Sequence, residues 1–570
     1  MRIPKDIKEQ KALQKKIPAT KTGSLIEGLQ GLQGNRVLNR ILNQKDPGAV
    51  VQALPSQDFY WVLKKVGEDD CLPLLELGSE AQWQYLLDLE IWKKDRLDMG
   101  RTASWVKRLM SAAPQRLARW FIKEGQLFAY HHLFKNIEVV VVSEEDHSYN
   151  IPKDYFSLDG VIHIRVKDPE YREALEHLIR QIAHENFERG QALILGLAGV
   201  LPAELEEEMY RLRSIRLSEH GFLPYEEALS VYSPLEPEAF DGEEVPALPA
   251  PVNQEDRPAL VPFSPLSHIQ STNLLTETLG RIADPFFMDR LRMEFAGLCN
   301  EILSADQTLV EDLDTLIGTC RRAAGCVNLA IDRLCGRDLK RAETLLKHHP
   351  LVSLFRLGFG LALKLKWKAG RWITRSWFYH QGLDHAFWGE AWGGVLSGIL
   401  AGKPKRYAGF EQGEEFKEFE WLSEILAAGQ VLERLQVLDR LIENLISKET
   451  LKEPWFGRPD ITFRPFLFHY WARGVLKLKP SVSPLKAEQA VRLFRKLLGE
   501  GKKPPHAMGG FEKTFVQALM DVYRGGAPEE TQCLHEALIM IWKNFCEEHA
   551  WVSLEDLDPK YSNFILIAEG

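Results

Sequence analysis

Cysteine is scarce and scattered in this chain. There are seven in 570 residues, at 71, 299, 320, 326, 335, 533 and 546, with no CxxC pair. That excludes a disulfide framework and the usual zinc spacings, and it fits reduced thiols in a cytosolic protein. At about 100° per residue on a helix, Cys320 and Cys326 point roughly 120° apart, and Cys326 and Cys335 roughly 180° apart, so no metal or iron–sulfur cluster is expected among them. Long apolar runs are missing too. The longest, near 192–203 and 391–402, fall short of the roughly 20 residues that a spanning helix needs. The opening MRIPKDIKEQKALQKK has no apolar core for a signal peptide. There is no excess of basic charge: the net charge of −9 argues against general nucleic-acid affinity, which needs cations to neutralise phosphates. Signature motifs are also absent. Gly28, Gly31 and Gly34 give GxxGxxG without the strand, spacing or lysine of a phosphate loop, and neither GxSxG nor HExxH occurs. These absences leave a cytoplasmic protein with no membrane insertion, no metal or other cofactor, and no catalytic motif.

What is present is a ladder of short helices. In LPSQDFYWVLKKVGEDDCLPLLELGSEAQWQYLLDLEIW, residues 54–92, Phe59, Val62, Leu63 and Val66 keep the i, i+3, i+4, i+7 spacing of one buried stripe. Ser56 or Asp58 is expected to cap that helix and Gly67 to end it. Asp70 and Pro73 open a second short helix, which Gly78 stops. Ser79 and Gln82 form a capping box before Trp83, Leu86 and Leu87. Thr102 leads into Trp105, Val106 and Leu109, and Pro114 starts a further piece ending near Gly125. Phe59, Trp83 and Trp105 recur at intervals of 24 and 22 residues, a degenerate repeat suited to stacked helical hairpins.

The rest of the chain divides by composition. Residues 1–35 form a basic tail, with seven Lys or Arg against two acids in the first 22; the ladder runs over 36–136. In 137–232, Ile137–Val142 and Val161–Val166 read as strands of a small hairpin or sheet, followed by a helix from Asp168-Pro169 and another over 201–232. His163 falls on the polar side of its strand, and His184 with Glu188 is two ligands rather than a metal site. Residues 233–265 hold eight prolines and seven acids with a single Arg, an extended acidic linker. Residues 266–570 read as an all-α domain. The fold class is therefore mainly α: a helical-repeat-like N-terminal module with a small β insertion, an acidic Pro-rich linker, then helices.

One segment stands apart. Five of the 15 tryptophans fall within 26 residues of the stretch 367–402. Trp377, Trp388 and Trp392 are interleaved there with His380, Asp384, His385 and Glu390. That is the composition of an aromatic-walled ligand or partner pocket, and equally of a Trp-rich core with a polar rim.

The combination LPSQDFYW, EAQWQYLLDLEIWKKDRLD, LPAELEEEMYRLRSIRLSEHGF-x-x-YEEALSVY and FWGEAW resembles a family of large bacterial proteins of unknown function, from about residue 36 to the C-terminus apart from the linker. It brings no catalytic residues with it. Residues 46–121 are also similar in kind to the helical-repeat cytoplasmic domains of magnesium transporters and the flagellar motor switch protein; without a membrane segment, a transport role does not transfer. The expected function is a cytoplasmic scaffold that binds another protein. The alternative is an enzyme or small-ligand-binding protein with its site at 377–392.

Overall fold

The computed structural model describes residues 32, 34–142, 154–240, 266, 272–307, 313–409, 413–446, 461–498, 504–506, 508–552 and 563–568. The basic tail and most of the acidic linker lie outside them. The chain forms two compact units. The first comprises Met1–Ser233, Gly242–Ala324 and Arg337–Phe355; the second comprises Pro234–Asp241, Gly325–Gly336 and Arg356–Gly570. Helices that follow the linker in sequence thus complete the first unit.

The ladder is present as α1 (Gly34–Leu42), α2 (Pro47–Gln52), α3 (Ser56–Val66), α4 (Leu72–Leu77), α5 (Glu80–Glu90), α6 (Met99–Ala112), α7 (Pro114–Phe121) and α8 (Gln126–Asn136). Phe59, Val62, Leu63 and Val66 are buried as one stripe, as are Trp83, Leu86 and Leu87. The Ser79–Gln82 capping box forms in both directions. Gln82 also donates from Nε2 to the Val51 and Leu54 carbonyls at 2.8 and 2.7 Å, answering acceptors left open at the end of α2. Other caps differ from the sequence reading. Ser56 is the first helical residue behind Pro55, which offers no side-chain cap, and Cys71 rather than Asp70 precedes α4; α6, for which that reading names no cap, is capped by Asp98 and includes Thr102. Between α5 and α6 lies an unanticipated hairpin, β1 (Trp92–Lys93) paired with β2 (Arg96–Leu97). Two-residue strands carry no periodicity to detect.

The insertion is a three-stranded antiparallel sheet, with β5 (Ile162–Val166) between β3 (Ile137–Val141) and β4 (Phe156–Ser157). Ile162, Ile164 and Val166 face the core while His163 and Arg165 face outward, and Glu138 lies opposite Arg165 and pairs with it. Two helices follow, α9 (Arg172–Glu185) and α10 (Phe187–Gly196), broken at Asn186, whose side chain caps α10. His184 and Glu188 therefore lie on different helices. The helix expected over 201–232 stops early. α11 (Pro202–Ser218) ends where Gly221 takes φ 79; a Cβ there would stand 3.0 Å from the Cα of Gly297. A short α12 (Tyr225–Ala228) follows, then α13 (Leu274–Leu279), α14 (Pro285–Asp306), α15 (Leu313–Cys335), α16 (Leu339–His348) and α17 (Leu351–Ile373).

The second unit is built on a continuous core in which Trp388, Phe466, Phe468, Trp471, Phe515, Trp542 and Phe545 are buried. Its only sheet among the described residues is a hairpin of β6 (Arg406–Tyr407) with β7 (Phe416–Lys417), so the expected all-α domain carries one small β element. Gly358 on α17 lies against α15 so closely that a Cβ would fall 1.8 Å from the Cys326 carbonyl oxygen. Backbone cannot yield as a side chain can, so Gly358→Ala is expected to cost about 2–3 kcal/mol. A urea midpoint equal to the wild type's would contradict that.

Candidate functional site

The strongest site geometry lies within the first unit, on the face of the ladder that the apolar stripe leaves free. On α3 the stripe faces inward, which turns Gln57, Asp58, Tyr60, Trp61 and Lys64 to the other side. Opposite stand Tyr85, Asp88, Leu89 and Glu90 of α5, followed by the β1–β2 hairpin. Asp88 ties α11 to this face: it accepts from Arg216 Nε and Nη2 at 2.7 and 2.8 Å, and its carbonyl accepts from Arg213 Nε at 2.6 Å. Glu206 accepts from the Leu97 amide at 2.6 Å, fixing the hairpin to the same helix. The Arg213 guanidinium lies 5.5 Å from the Trp92 ring centre and 5.9 Å from that of Tyr210. Burial pulls its pKa down, opposed by Asp88.

These elements and the end of α14 enclose a cleft of about 560 Å³, walled by Trp92, Tyr210, Arg213, Phe222 and Leu303, with Lys93, Lys94, Ser304 and Gln307 among its other lining residues. Asp306, also on the wall, accepts from Tyr232 Oη and Arg322 Nη1, each at 2.7 Å. Among the described residues three that are not glycine have positive φ, Lys94 (61), Gln307 (48) and Lys477 (59), and the first two line this cleft. Beside it, sharing Leu89, Phe222 and Leu303, is a second cavity of about 50 Å³ bounded by Gln57, Asp58, Tyr60, Trp61, Tyr85, Asn300, Thr319 and two thiols. Asp58 is 5% exposed and its Oδ2 is buried without a hydrogen-bond partner. Burial raises its pKa from 3.8 to about 8.

Behind this wall runs a buried ion network. Glu90, 1% exposed, accepts from Tyr60 Oη at 2.7 Å and pairs with Lys64 at 2.7 Å and Arg101 at 3.4 Å. Lys64 also reaches Glu68 at 3.2 Å, and Glu68 in turn pairs with Arg108 at 3.1 Å.

In the Trp-rich segment of the second unit the structure brings the aromatic residues together. Trp377 packs on Phe387 and Phe466. Trp388 packs on Phe378, Phe387 and Phe463, with its Nε1 buried and unpartnered. Trp392 stacks on Phe463 at 5.5 Å. The titratable residues differ in exposure and partners. His380, Asp384 and Glu390 are exposed; Asp384 accepts the Ala386 amide at 2.9 Å; His385 Nδ1 lies 2.8 Å from Ser397 Oγ, and burial lowers its pKa. The segment borders a trough of about 650 Å³ through Trp372 and Asp439. Asp439 accepts the Trp377 and Phe378 amides at 2.9 and 3.0 Å, and burial lifts it to about 6. Two ion pairs lie on this trough, Lys368 with Glu433 at 2.8 Å and Arg440 with Glu530 at 2.5 Å.

Sequence reasoning missed the first-unit cleft, because its walls come from four distant segments and the charged residues look like solvated helix faces. It also missed that Cys299 and Cys320 meet, with Sγ atoms 3.9 Å apart, since their proximity is set by the packing of α14 on α15. Among the described residues no group of three or more His, Cys, Asp or Glu could hold a metal ion, and no helix is long and apolar enough to cross a membrane.

No curated protein and no solved structure matches the chain, so the likeness of residues 46–121 to transporter and motor-switch domains is not shown. A family model described as "Family of unknown function (DUF6178)" matches residues 15–568, nearly the whole chain, and the protein therefore belongs to that family.

Proposed function

We propose that the protein binds a small organic molecule in the first-unit cleft, with the helical ladder as its rigid wall. The observation that carries this reading is the coincidence of strain with concavity: Lys94 and Gln307, held in a conformation that favours glycine, both line the cleft. Backbone strain of about 1–3 kcal/mol persists where surrounding structure enforces it, and it clusters at ligand clamps. The walls add what a ligand site needs, aromatic surface from Trp92 and Tyr210 with cations at Lys93, Lys94 and Arg213.

The full chain, equilibrated with a metabolite extract and read by native mass spectrometry, should retain a small molecule. Ser214→Trp, which fills the cleft from α11, should lose it. A wild type that retains nothing, or a variant that retains the same molecule, defeats the reading. Lys94→Gly and Gln307→Gly should each stabilise the protein by about 0.5–1 kcal/mol in urea titrations while weakening retention, because relief of strain and loss of a side chain act in opposite directions.

A protein-interaction role is the second reading, and a separate observation favours it. In the second unit Tyr379 is 55% exposed edge-on to His380, with Asp384 and Glu390 also exposed over the closed aromatic core. Exposed tyrosine flanked by polar groups suits a contact hot spot. Affinity purification at native abundance should recover a stoichiometric partner with wild type and lose it with Tyr379→Ala; equal recovery ends this reading.

A further inference from the structure

The small cavity beside the cleft has a chemical character of its own. It is lined by a carboxyl group and by aromatic side chains, and no Lys or Arg is among its lining residues. Asp58 is one of the residues that line it, and its Oδ2 is buried with nothing to bond. An unpartnered buried carboxylate oxygen is costly and rare in folded proteins, and where it occurs it calls for an explanation. The nearby polar groups are already directed elsewhere. Asn300 donates Nδ2 to the His220 carbonyl at 2.5 Å, Gln57 donates to the same carbonyl at 3.5 Å, and Thr319 donates to the Thr315 carbonyl at 3.1 Å.

We infer that this cavity receives a primary ammonium group, so that the molecule held in the cleft is an organic amine whose charged end is accepted by Asp58 Oδ2. The inference rests on the ligand-binding reading of the cleft, and it names the class of ligand. A volume of about 50 Å³ suits one or two water-sized groups, enough for an ammonium on its first carbon and too small for a quaternary centre. The rings of Tyr60, Trp61, Tyr85 and Phe222 supply the electron-rich surface that favours a cation. The thiols of Cys299 and Cys320 and these rings do not make the cage of six or more oxygens that calcium or magnesium takes. The other ionisable groups that line the cavity are Tyr60, Tyr85, Cys299 and Cys320, and the His220 ring, whose pKa burial lowers, packs edge-on against Tyr85 at 4.8 Å. Burial raises the pKa of Tyr60, Tyr85 and Cys299, keeping them neutral near pH 7, so none of those three offers a countercharge. Arrival of the ammonium displaces the proton that burial holds on Asp58, and binding therefore strengthens as pH rises from about 6 to about 8.

The test uses the full chain and methylammonium chloride as probe, with sodium chloride and tetramethylammonium chloride at equal ionic strength. Methylammonium should raise the thermal midpoint saturably, and the two other salts should not. Asp58→Asn, which keeps the shape and removes the charge, should weaken the response at least about ten-fold, while Leu426→Ser, on an exposed face of the second unit, should leave it intact. Equal responses to all three salts, or an undiminished response in Asp58→Asn, would overturn the inference. So would sodium acting as strongly as methylammonium, which would mark a site for simple inorganic cations. Because methylammonium needs only the small cavity, a positive response with an empty metabolite screen fails the cleft reading alone. A retained metabolite with no methylammonium response fails the amine assignment alone.

Discussion

Asp58→Asn is expected to make the protein more stable, and by an amount that grows with pH. The folded chain holds the Asp58 proton up to about pH 8, whereas an ordinary aspartate releases it near 3.8. A folded pKa raised above the unfolded one means that this carboxyl favours folding fully below about pH 4. That contribution is lost as pH climbs from there through about 8, because the unfolded state ionises first. The full span is bounded at about 6 kcal/mol, and relaxation around a charged Asp58 leaves an expected gain for the asparagine variant of about 2–4 kcal/mol at pH 8. At pH 4 the two proteins should be nearly equal. Urea titrations at both pH values measure the difference directly. A pH-independent difference would mean that the Asp58 carboxyl is not desolvated in solution.

Removal of Glu90 should act in the opposite sense. Glu90 and Lys64 are both almost wholly buried, each side chain about 1% exposed, and Glu90 is the common acceptor for Tyr60, Lys64 and Arg101. Glu90→Ala leaves the buried Lys64 cation with only the partly exposed Glu68 at 3.2 Å and deprives the Tyr60 hydroxyl of its acceptor. Breaking a buried pair from one side costs about 3–5 kcal/mol, and the contact that Lys64 keeps with Glu68 puts the expected loss at the lower end, about 3 kcal/mol. The paired change Lys64→Met with Glu90→Leu should recover most of that loss, because removing both charges removes the penalty with them. Denaturant midpoints of the single and double variants separate the two effects. A double variant as unstable as Glu90→Ala would show that the network contributes through geometry rather than charge.

Asp58 and its neighbours explain why some of this protein is legible in its sequence and some is not. Phe59 and Val62, neighbours of Asp58 on the same helix, announce themselves by period, and the Ser79–Gln82 box by local spacing, because helix burial and capping are decided within a few residues. The alternation in Ile162–Val166 is legible for the same reason. Asp58 reads as a cap, and that reading fails on partners that sequence does not place: the far wall of the cavity comes from Cys299 and Cys320, just as Arg213 and Arg216 grip Asp88 across more than a hundred residues. The Trp-rich segment was legible as a cluster of rings, since apolar residues in bulk pack together. How His380 and His385 are placed relative to one another depends on the turn at Gly382, with φ 74, which composition does not reveal.

The Asp88 clamp also sets an order of events. Contacts within the ladder join residues close in sequence, such as Gln82 to Leu54 and Trp83 to Leu75, and local contacts of this kind form quickly. The cleft has no floor until α11 has reached Asp88 and α14 has brought Leu303 and Gln307 into place. During synthesis the ladder is expected to compact before α14 closes over Asp58, which burial in the finished unit holds protonated up to about pH 8. Its proton is captured only when the later helices close over it, so completion of the first unit is itself a protonation step, and its rate should carry a pH dependence that folding of the ladder lacks.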